Sequence, residues 1–370
     1  MPADAEEANI RNGLNKMNDQ KAAKKSTHPM PVIFDTDPGI DDAMALYLLA
    51  RHPALDLRAI TTVFGNGSIE VTNRNARILA ALYQQQVPVA AGAAGPLHDN
   101  ALREFSSHVH GDDGLGGVAD LAERAALGLS PNAQIPALDA RPAHQLICDL
   151  VNAEPGAITL IAVGPLTNLA LALRQDPSIA SKVHQVIVMG GAFGTAARCG
   201  NVTPVAEANV INDPEAADLV FTADWPVVIV GLDVTQEVVM EESYLASLQG
   251  RGGAVGDFLW QATRHYQDFY YGCDGIKGIY AHDASAIAYA IEPEAFTLRS
   301  GPVRVAMEGI ARGQTIQDFR KPSGAQTPWS GCPAQQVCIG VQAERVLALF
   351  DQAFDPAFDL NTDRPAGQGA

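Results

Sequence analysis

Pro31-Val32-Ile33-Phe34-Asp35-Thr36-Asp37-Pro38-Gly39-Ile40-Asp41-Asp42-Ala43 reads as a β-strand, a tight turn and the start of an α-helix. A short β-branched and aromatic run ends in four aspartates around a Pro-Gly turn, and an apolar helical pattern follows, Met44 through Leu49. Four carboxylates at one strand end repel each other, and a cation among them relieves that repulsion. Oxygen-only ligands point to a hard ion, Ca²⁺ or Mg²⁺.

Outward from this stretch, strand-like and helix-like segments alternate. Strands are expected at Val32–Asp35, Leu57–Val63, Val87–Ala91, Ile158–Val163, Gln185–Met189 and Val227–Val230. Helices are expected at Asp41–Arg51, Ile69–Gln85, Ala143–Asn152, Leu166–Arg174, Pro214–Thr222 and Val255–Tyr270. This rhythm predicts an α/β fold: an open, mostly parallel, Rossmann-like sheet with helices on both faces. Arg304–Glu308 and Val337–Val341 are expected to add strands at one edge. No repeat and no Pro/Gly/Ser-rich linker divides the chain. The expectation is one domain over 29–360, with a mobile extension over 1–28 and a flexible tail over 361–370. Ligands of such sheets bind outside the carboxyl ends of the strands. Polar or glycine-rich residues collect there: the aspartates after the first strand, Asn66 after the second, Gly164-Pro165-Leu166-Thr167-Asn168 after the fourth and Met189-Gly190-Gly191 after the fifth.

The chain has 370 residues, 47% of them hydrophobic, enough for a large core. A formal net charge of −17 argues against nucleic acid as a partner, which would need a basic face, and against anionic lipid. No apolar run is long enough to span a membrane. The five cysteines, Cys148, Cys199, Cys273, Cys332 and Cys338, form no CxxC pair, which disfavours zinc or a disulfide framework. With no apolar signal-peptide core near the N-terminus, a reduced, cytoplasmic location is expected.

An EF-hand is excluded. Asp35-x-Asp37 begins such a loop correctly, but Gly39 comes one place early and Leu46 stands where the terminal Glu belongs. A haloacid-dehalogenase-like Mg²⁺ phosphohydrolase also opens on a strand-end DxD, with Asp35 and Asp37 as nucleophile and acid. Pro-Gly-x-Asp-Asp does not suit it, and Val230-Gly231-Leu232-Asp233 is a poor match to its late acidic pair. That alternative predicts phosphate release from a phosphomonoester.

The motif closely resembles the signature of the inosine–uridine-preferring nucleoside hydrolases. Further similar segments follow in order: Thr61-Thr62-Val63-Phe64-Gly65-Asn66, His110-Gly111-Asp112-Asp113-Gly114-Leu115-Gly116-Gly117, Val163-Gly164-Pro165-Leu166-Thr167-Asn168 and Met189-Gly190-Gly191. Gly200-Asn201-Val202-Thr203-Pro204-Val205-Ala206-Glu207-Ala208-Asn209, Asp213-Pro214-Glu215-Ala216-Ala217 and His282-Asp283 complete the set. The resemblance runs from Val32 to about Phe354.

It implies Ca²⁺-dependent cleavage of the N-glycosidic bond of a ribonucleoside, giving ribose and a free purine or pyrimidine base for salvage. The implied Ca²⁺ ligands are Asp37, Asp42, the Thr167 backbone carbonyl and Asp283, all hard oxygen donors. Taken alone, Asp42 reads better as a helix first-turn acid that suits the macrodipole, and it is the match to Asp37 and Asp283 in the same pattern that makes it a ligand. Asp37 is the implied general base toward the attacking water, and Asp41 the partner of the ribose 2′-hydroxyl. Asn201, Glu207 and Asn209 are the implied ligands of the other ribose hydroxyls, and Asn66 orders water or ribose near the metal. Taken singly, the asparagines also suit turns. His282 is the implied acid toward the leaving base, although a lone histidine is more often structural. Tyr266, Tyr270, Tyr271 and His110 are candidates for a base-side lid. The sequence departs from the pattern at Ala208, where many relatives carry Phe, and at the insertion-like Ala192 to Cys199. A homo-oligomer, dimer or tetramer, is also implied. The non-enzymatic alternative is a calcium-dependent nucleoside- or ribose-binding protein. Asp37 and Asp41 argue against it, since binding alone needs no base.

Overall fold

The computed structural model describes residues 28–98, 105–320 and 324–355. The expected extension over 1–28, except His28, and the tail over 361–370 lie outside the described residues. Strands β1 (Met30–Thr36), β2 (Leu55–Thr62), β3 (Val89–Ala90), β4 (Thr159–Ala162), β5 (Gln185–Met189) and β6 (Val227–Val230) alternate with helices. β7 (Val239–Glu241) and β8 (Gly278–Tyr280) form a separate antiparallel pair. β9 (Phe296–Gly301) returns to the main sheet, β10 (Val303–Val305) and β11 (Thr315–Gln317) pair apart from it, and β12 (Gln335–Val341) rejoins it. The main sheet has eight strands in the order β3-β2-β1-β4-β5-β6-β12-β9. All its pairings are parallel except β12 with β9.

The central strands are buried on both faces, which explains their unbroken apolar sequences: Thr159–Ala162 and Val227–Val230 are buried throughout. Successive side chains of β1 point to opposite faces. Val32 and Phe34 join one core, containing the helices Ile40–Arg51 and His282–Ile291. Ile33 joins the other, under Ala143–Ala153, Thr167–Gln175 and Pro214–Thr222.

The six early strands and six early helices lie where the sequence places them, with shifts at their ends. The Ile69 helix stops at Leu82, before Gln84, whose φ is +56°. The helix expected over Val255–Tyr270 runs from Ala254 to Asp274 and stops at Gly275, whose φ is +69°. The edge expectation needs correction. Val303–Val305 pairs with β11 outside the main sheet, and β12 lies inside it, covered by β9. β9 is half exposed, and its polar Thr297, Arg299 and Ser300 break the apolar run that marks a buried strand.

The chain turns back across the sheet between β1 and β4, so the crevice beyond their carboxyl ends is the topological switch point. Asn168 ties this rim together. Its amide donates to Asp35 Oδ1 at 2.8 Å and to the Thr62 carbonyl at 2.8 Å, while its oxygen accepts the Ala93 N–H at 2.9 Å. Thr61 Oγ1 also donates to Asp35 Oδ1, at 2.5 Å. Asn168→Ala would strand buried polar groups from three segments, so a loss of about 3 kcal/mol is expected. Urea unfolding checks this: the midpoint should fall at unchanged slope, and an unmoved midpoint would contradict the clamp.

Candidate active site

Asp37 follows β1, and Asp41 and Asp42 occupy the first turn of the helix Ile40–Arg51. Asp283 occupies the first turn of His282–Ile291. All four carboxylates are between 1% and 7% exposed. Ligand atoms of Asp41, Asp42 and Asp283 lie within 4.8 Å of one another. Thr167, buried, begins a third helix at the same rim, and its hydroxyl donates to Asp213 Oδ2 at 2.7 Å. Three helix N-termini thus bring partial positive charge toward an anionic cluster.

Asp42 is held on all sides. Its Oδ1 accepts from Thr36 Oγ1, and its Oδ2 accepts from Gly39 N–H at 2.9 Å and Asn66 Nδ2 at 3.0 Å. Asp37 Oδ2 accepts the Asn66 N–H at 2.7 Å. Asp41 Oδ2 accepts from the Tyr266 hydroxyl at 3.1 Å. Asp37 Oδ1 and Asp41 Oδ1 are buried without a hydrogen-bond partner. Two glycines press against Asp37: a Cβ on Gly65 would lie 2.0 Å from its Oδ2, and one on Gly164 would lie 2.6 Å from its Oδ1.

Burial disfavours ionisation throughout, and mutual repulsion adds to it at Asp37, Asp42 and Asp283. Asp37 is raised well above the usual carboxylate range by burial and then by Asp42. Burial raises Asp41 to about 6, and burial with Asp41 beside it raises Asp42 to about 6. Asp283 is raised by burial, then by Asp41, Asp42, Asp37 and Glu207. Orphaned acceptors, an all-oxygen donor set and unrelieved negative charge together fit a hard divalent cation.

On the other side of Asp41, aromatic residues form a connected wall. Tyr266 hydroxyl lies 3.1 Å from Tyr270 hydroxyl, and Tyr270 hydroxyl lies 2.8 Å from His282 Nε2. His282 Nδ1 lies 2.7 Å from Thr235 Oγ1. Burial pushes His282 down to about 3, so its imidazole is neutral at physiological pH. His110 packs on Tyr266 with ring centroids 5.2 Å apart, accepts the Ile40 N–H at Nδ1 and is pushed down to about 4 by burial. Tyr271, grouped in sequence with Tyr266 and Tyr270, is 61% exposed and takes no part in this wall. The i, i+4 spacing of Tyr266 and Tyr270 on the helix Ala254–Asp274 is the signal that separates them from it.

Glu207 is buried and spends both oxygens on backbone N–H groups: Oε1 on Asn209, Oε2 on Gly191 and Val210. Asn209 donates to the Val163 carbonyl at 2.8 Å and the Met189 carbonyl at 3.2 Å. Asn201 is exposed, and its oxygen accepts the Ala208 N–H at 3.0 Å. The insertion-like loop is tied down by buried Asp233, which accepts the Phe193 and Thr195 N–H groups at 2.8 and 2.6 Å. The sequence offered Asp233 only as a poor match to a phosphohydrolase's late acidic pair and did not point to Thr235, because both lie in a four-residue helix, Leu232–Thr235, without a motif of its own.

Known proteins of similar sequence and fold identify the family. Residues 32–348 match the model of the inosine-uridine preferring nucleoside hydrolase family. The chain belongs to that family. It is 38% identical over 332 residues to a probable uridine nucleosidase 1 of Oryza sativa subsp. japonica, covering 89% of this chain and 98% of the relative. It is 39% identical over 297 residues to an inosine-uridine preferring nucleoside hydrolase of Leishmania major, covering 80% and 89%. A solved plant nucleoside hydrolase superposes with a TM-score of 0.81 at 35% identity, covering 89% of this chain and 99% of that one. The chain is therefore a ribonucleoside hydrolase, an enzyme that cleaves N-glycosidic bonds. Among the described residues no helix is long and apolar enough to cross a membrane.

The raised carboxylates make a prediction about the metal-free hydrolase. Asp41 and Asp42, at about 6, and Asp35, raised by burial to about 7, hold protons in the folded state that the unfolded chain releases near pH 4. The folded state thus binds more protons, and stability falls as pH rises through that window. Thermal melts in chelator should show the melting temperature dropping between about pH 4 and pH 7. A rise over that range would contradict the raised values.

Proposed function

We propose that this enzyme is a Ca²⁺-dependent hydrolase of ribonucleosides, releasing ribose and a free purine or pyrimidine base. The observation that carries it is the buried carboxylate cluster, with Asp37 Oδ1 and Asp41 Oδ1 left without partners, at the switch point of a nucleoside hydrolase fold. Asp37, Asp42, Asp283 and the Thr167 carbonyl are the proposed ligands, and Asp41 is close enough to the cluster to share the ion's field. When bound, Ca²⁺ supplies the positive charge that keeps these carboxylates ionised and polarises oxygen groups at the sugar.

The side chains divide the remaining work. Asp37 accepts the proton of the attacking water through its unpartnered Oδ1. Asp41 Oδ1 accepts the ribose 2′-hydroxyl, since its Oδ2 is already engaged by Tyr266. Asn66 braces both Asp37 and Asp42 and orders groups beside them. Glu207 and Asn209 shape the buried end of the sugar site, and Asn201 stands at its exposed end. Departure of the base as an anion is costly, so the buried pair Tyr270–His282 supplies hydrogen bonding or a proton to it.

The names of similar proteins make uridine and inosine the first substrates to assay. Five free cysteines suit a reducing, cytoplasmic setting, and release of a free base suits a salvage role. A dimer or tetramer is expected from the resemblance.

Asp37→Asn keeps size but removes proton acceptance. A fall in kcat on the order of 10² to 10⁴ is expected from ribose release assays. Near-wild-type turnover in the folded variant would remove Asp37 as the base. His282→Ala separates leaving-group assistance from sugar chemistry. It should depress hydrolysis of uridine and inosine while sparing p-nitrophenyl riboside, whose leaving group needs no proton. Equal losses on both would mean that His282 supports only the metal or the fold.

A further inference from the structure

Asn75 lies on the helix Ile69–Leu82, is fully buried, and belongs to none of the motifs read from the sequence. Its side-chain nitrogen donates to the Pro38 carbonyl at 3.0 Å and to the Asp113 carbonyl at 2.9 Å. Its oxygen accepts from Arg74 Nε and Nη2 at 3.1 and 2.9 Å. Carbonyls only accept and a guanidinium only donates, so one orientation of the amide satisfies all these contacts. Pro38 belongs to the turn that carries Asp37, Asp41 and Asp42, and Asp113 to the glycine-rich loop that begins at His110. One buried amide thus spends one proton on each of two segments that are far apart in sequence.

The loop takes its shape from its own bonds. The Asp113 carboxylate accepts the N–H groups of Leu115, Gly117 and Ala119 at 2.9, 2.8 and 2.8 Å. Gly114 N–H donates to the Gly111 carbonyl at 3.0 Å, and Gly116 N–H to the His110 carbonyl at 2.8 Å. These bonds fix the loop's form and not its place against the turn. Its place comes from His110 Nδ1, which accepts the Ile40 N–H at 3.2 Å, and from Asn75. Gly114 lets the amide come this close: its φ is +75°, and a Cβ there would lie 2.7 Å from Asn75 Nδ2 and 3.3 Å from the Pro38 oxygen.

We propose that Asn75 is a positioning residue that sets the separation between the carboxylate-bearing turn and the loop at His110, and with it the width of the slot that receives the nucleoside. The proposal rests on the reading of that turn as the ribose site. His110 Nδ1 lies 3.9 Å from Asp41 Oδ1, so the edge of the loop stands beside the atom assigned to the sugar. A loop released from Asn75 divides its time between docked and undocked positions. Substrate then meets a complete slot only in the docked fraction. Apparent affinity falls by that fraction, while the bound complex reacts as before.

The test is Asn75→Asp in the full-length protein. The variant keeps size and an acceptor for Arg74, but it loses both donated protons and sets a carboxylate oxygen against two carbonyls. Hydrogen exchange of the ligand-free protein should quicken at the Ile40 N–H, whose acceptor His110 leaves with the loop. A factor on the order of 10 is expected for the two lost hydrogen bonds. Exchange in β4, β5 and β6 should stay as in the wild type. The KM for uridine should rise severalfold with kcat within about twofold of the wild type. Unchanged exchange at Ile40, a rise spread evenly over the chain, or a loss of kcat at unchanged KM would each overturn the proposal. If Asn75→Asp does not fold, Gly114→Ala drives a wedge at the same contact from the loop side and should give the same two results. Wild-type exchange and KM in that variant would overturn it. Absence of nucleoside turnover in the wild-type protein would instead refute the functional reading, and the exchange result would still decide whether Asn75 places the loop.

Discussion

Burial of like charge is the constraint on which this structure turns. Asp37, Asp41, Asp42 and Asp283 are removed from water at one point, where the mutual repulsion of four ionised carboxylates would oppose folding. The fold answers with every neutral device at its disposal. Three helices begin there, backbone N–H groups of Gly39 and Asn66 are aimed at the oxygens, and the hydroxyls of Thr36 and Tyr266 donate to them. These devices still leave Asp37 Oδ1 and Asp41 Oδ1 unsatisfied. A cation and the hydroxyls of a sugar are the partners that this chemistry asks for.

The remainder of the fold serves that placement. Two cores grip the sheet from opposite faces, so the ends of β1, β2 and β4 are rigid where the aspartates leave them. Asn168 and Asp35 stitch those ends together beneath the site. Gly65 and Gly164 allow two backbone segments to close on Asp37, where any side chain would displace its carboxylate. Stability and chemistry are set against each other here. The cluster is a liability in the metal-free chain, and the surrounding packing absorbs it.

Much of this was legible in the sequence. The apolar runs of β4, β5 and β6 have lengths and flanks that only buried parallel strands explain, and the aspartate cluster reads directly as the end of β1. Asp37, Asp41, Asp42, Asn66 and Asp283 do converge. What was not legible depends on distant contacts. β9 lacks a continuous apolar face, so the order of the sheet edge could not be foreseen. The tyrosines were visible as a group, but only the helix phase sends Tyr266 and Tyr270 inward and Tyr271 outward. Thr235 gains significance only through a partner 47 residues away. Glu207 and Asn209, expected at ribose hydroxyls, prove to be heavily used by the backbone as well.

The central claim is that the buried carboxylates are the seat of a divalent cation, and proton linkage tests it most directly. Calcium titrations by calorimetry near pH 6, in buffers of differing ionisation enthalpy, count the protons released per ion bound. Asp41 and Asp42, raised to about 6, are partly protonated there and must give up protons to bind the ion. The account predicts one tight site per chain, net proton release, affinity that strengthens toward neutral pH, and loss of the site in Asp42→Ala. Calcium binding without proton release, or binding that survives in folded Asp42→Ala, would contradict it.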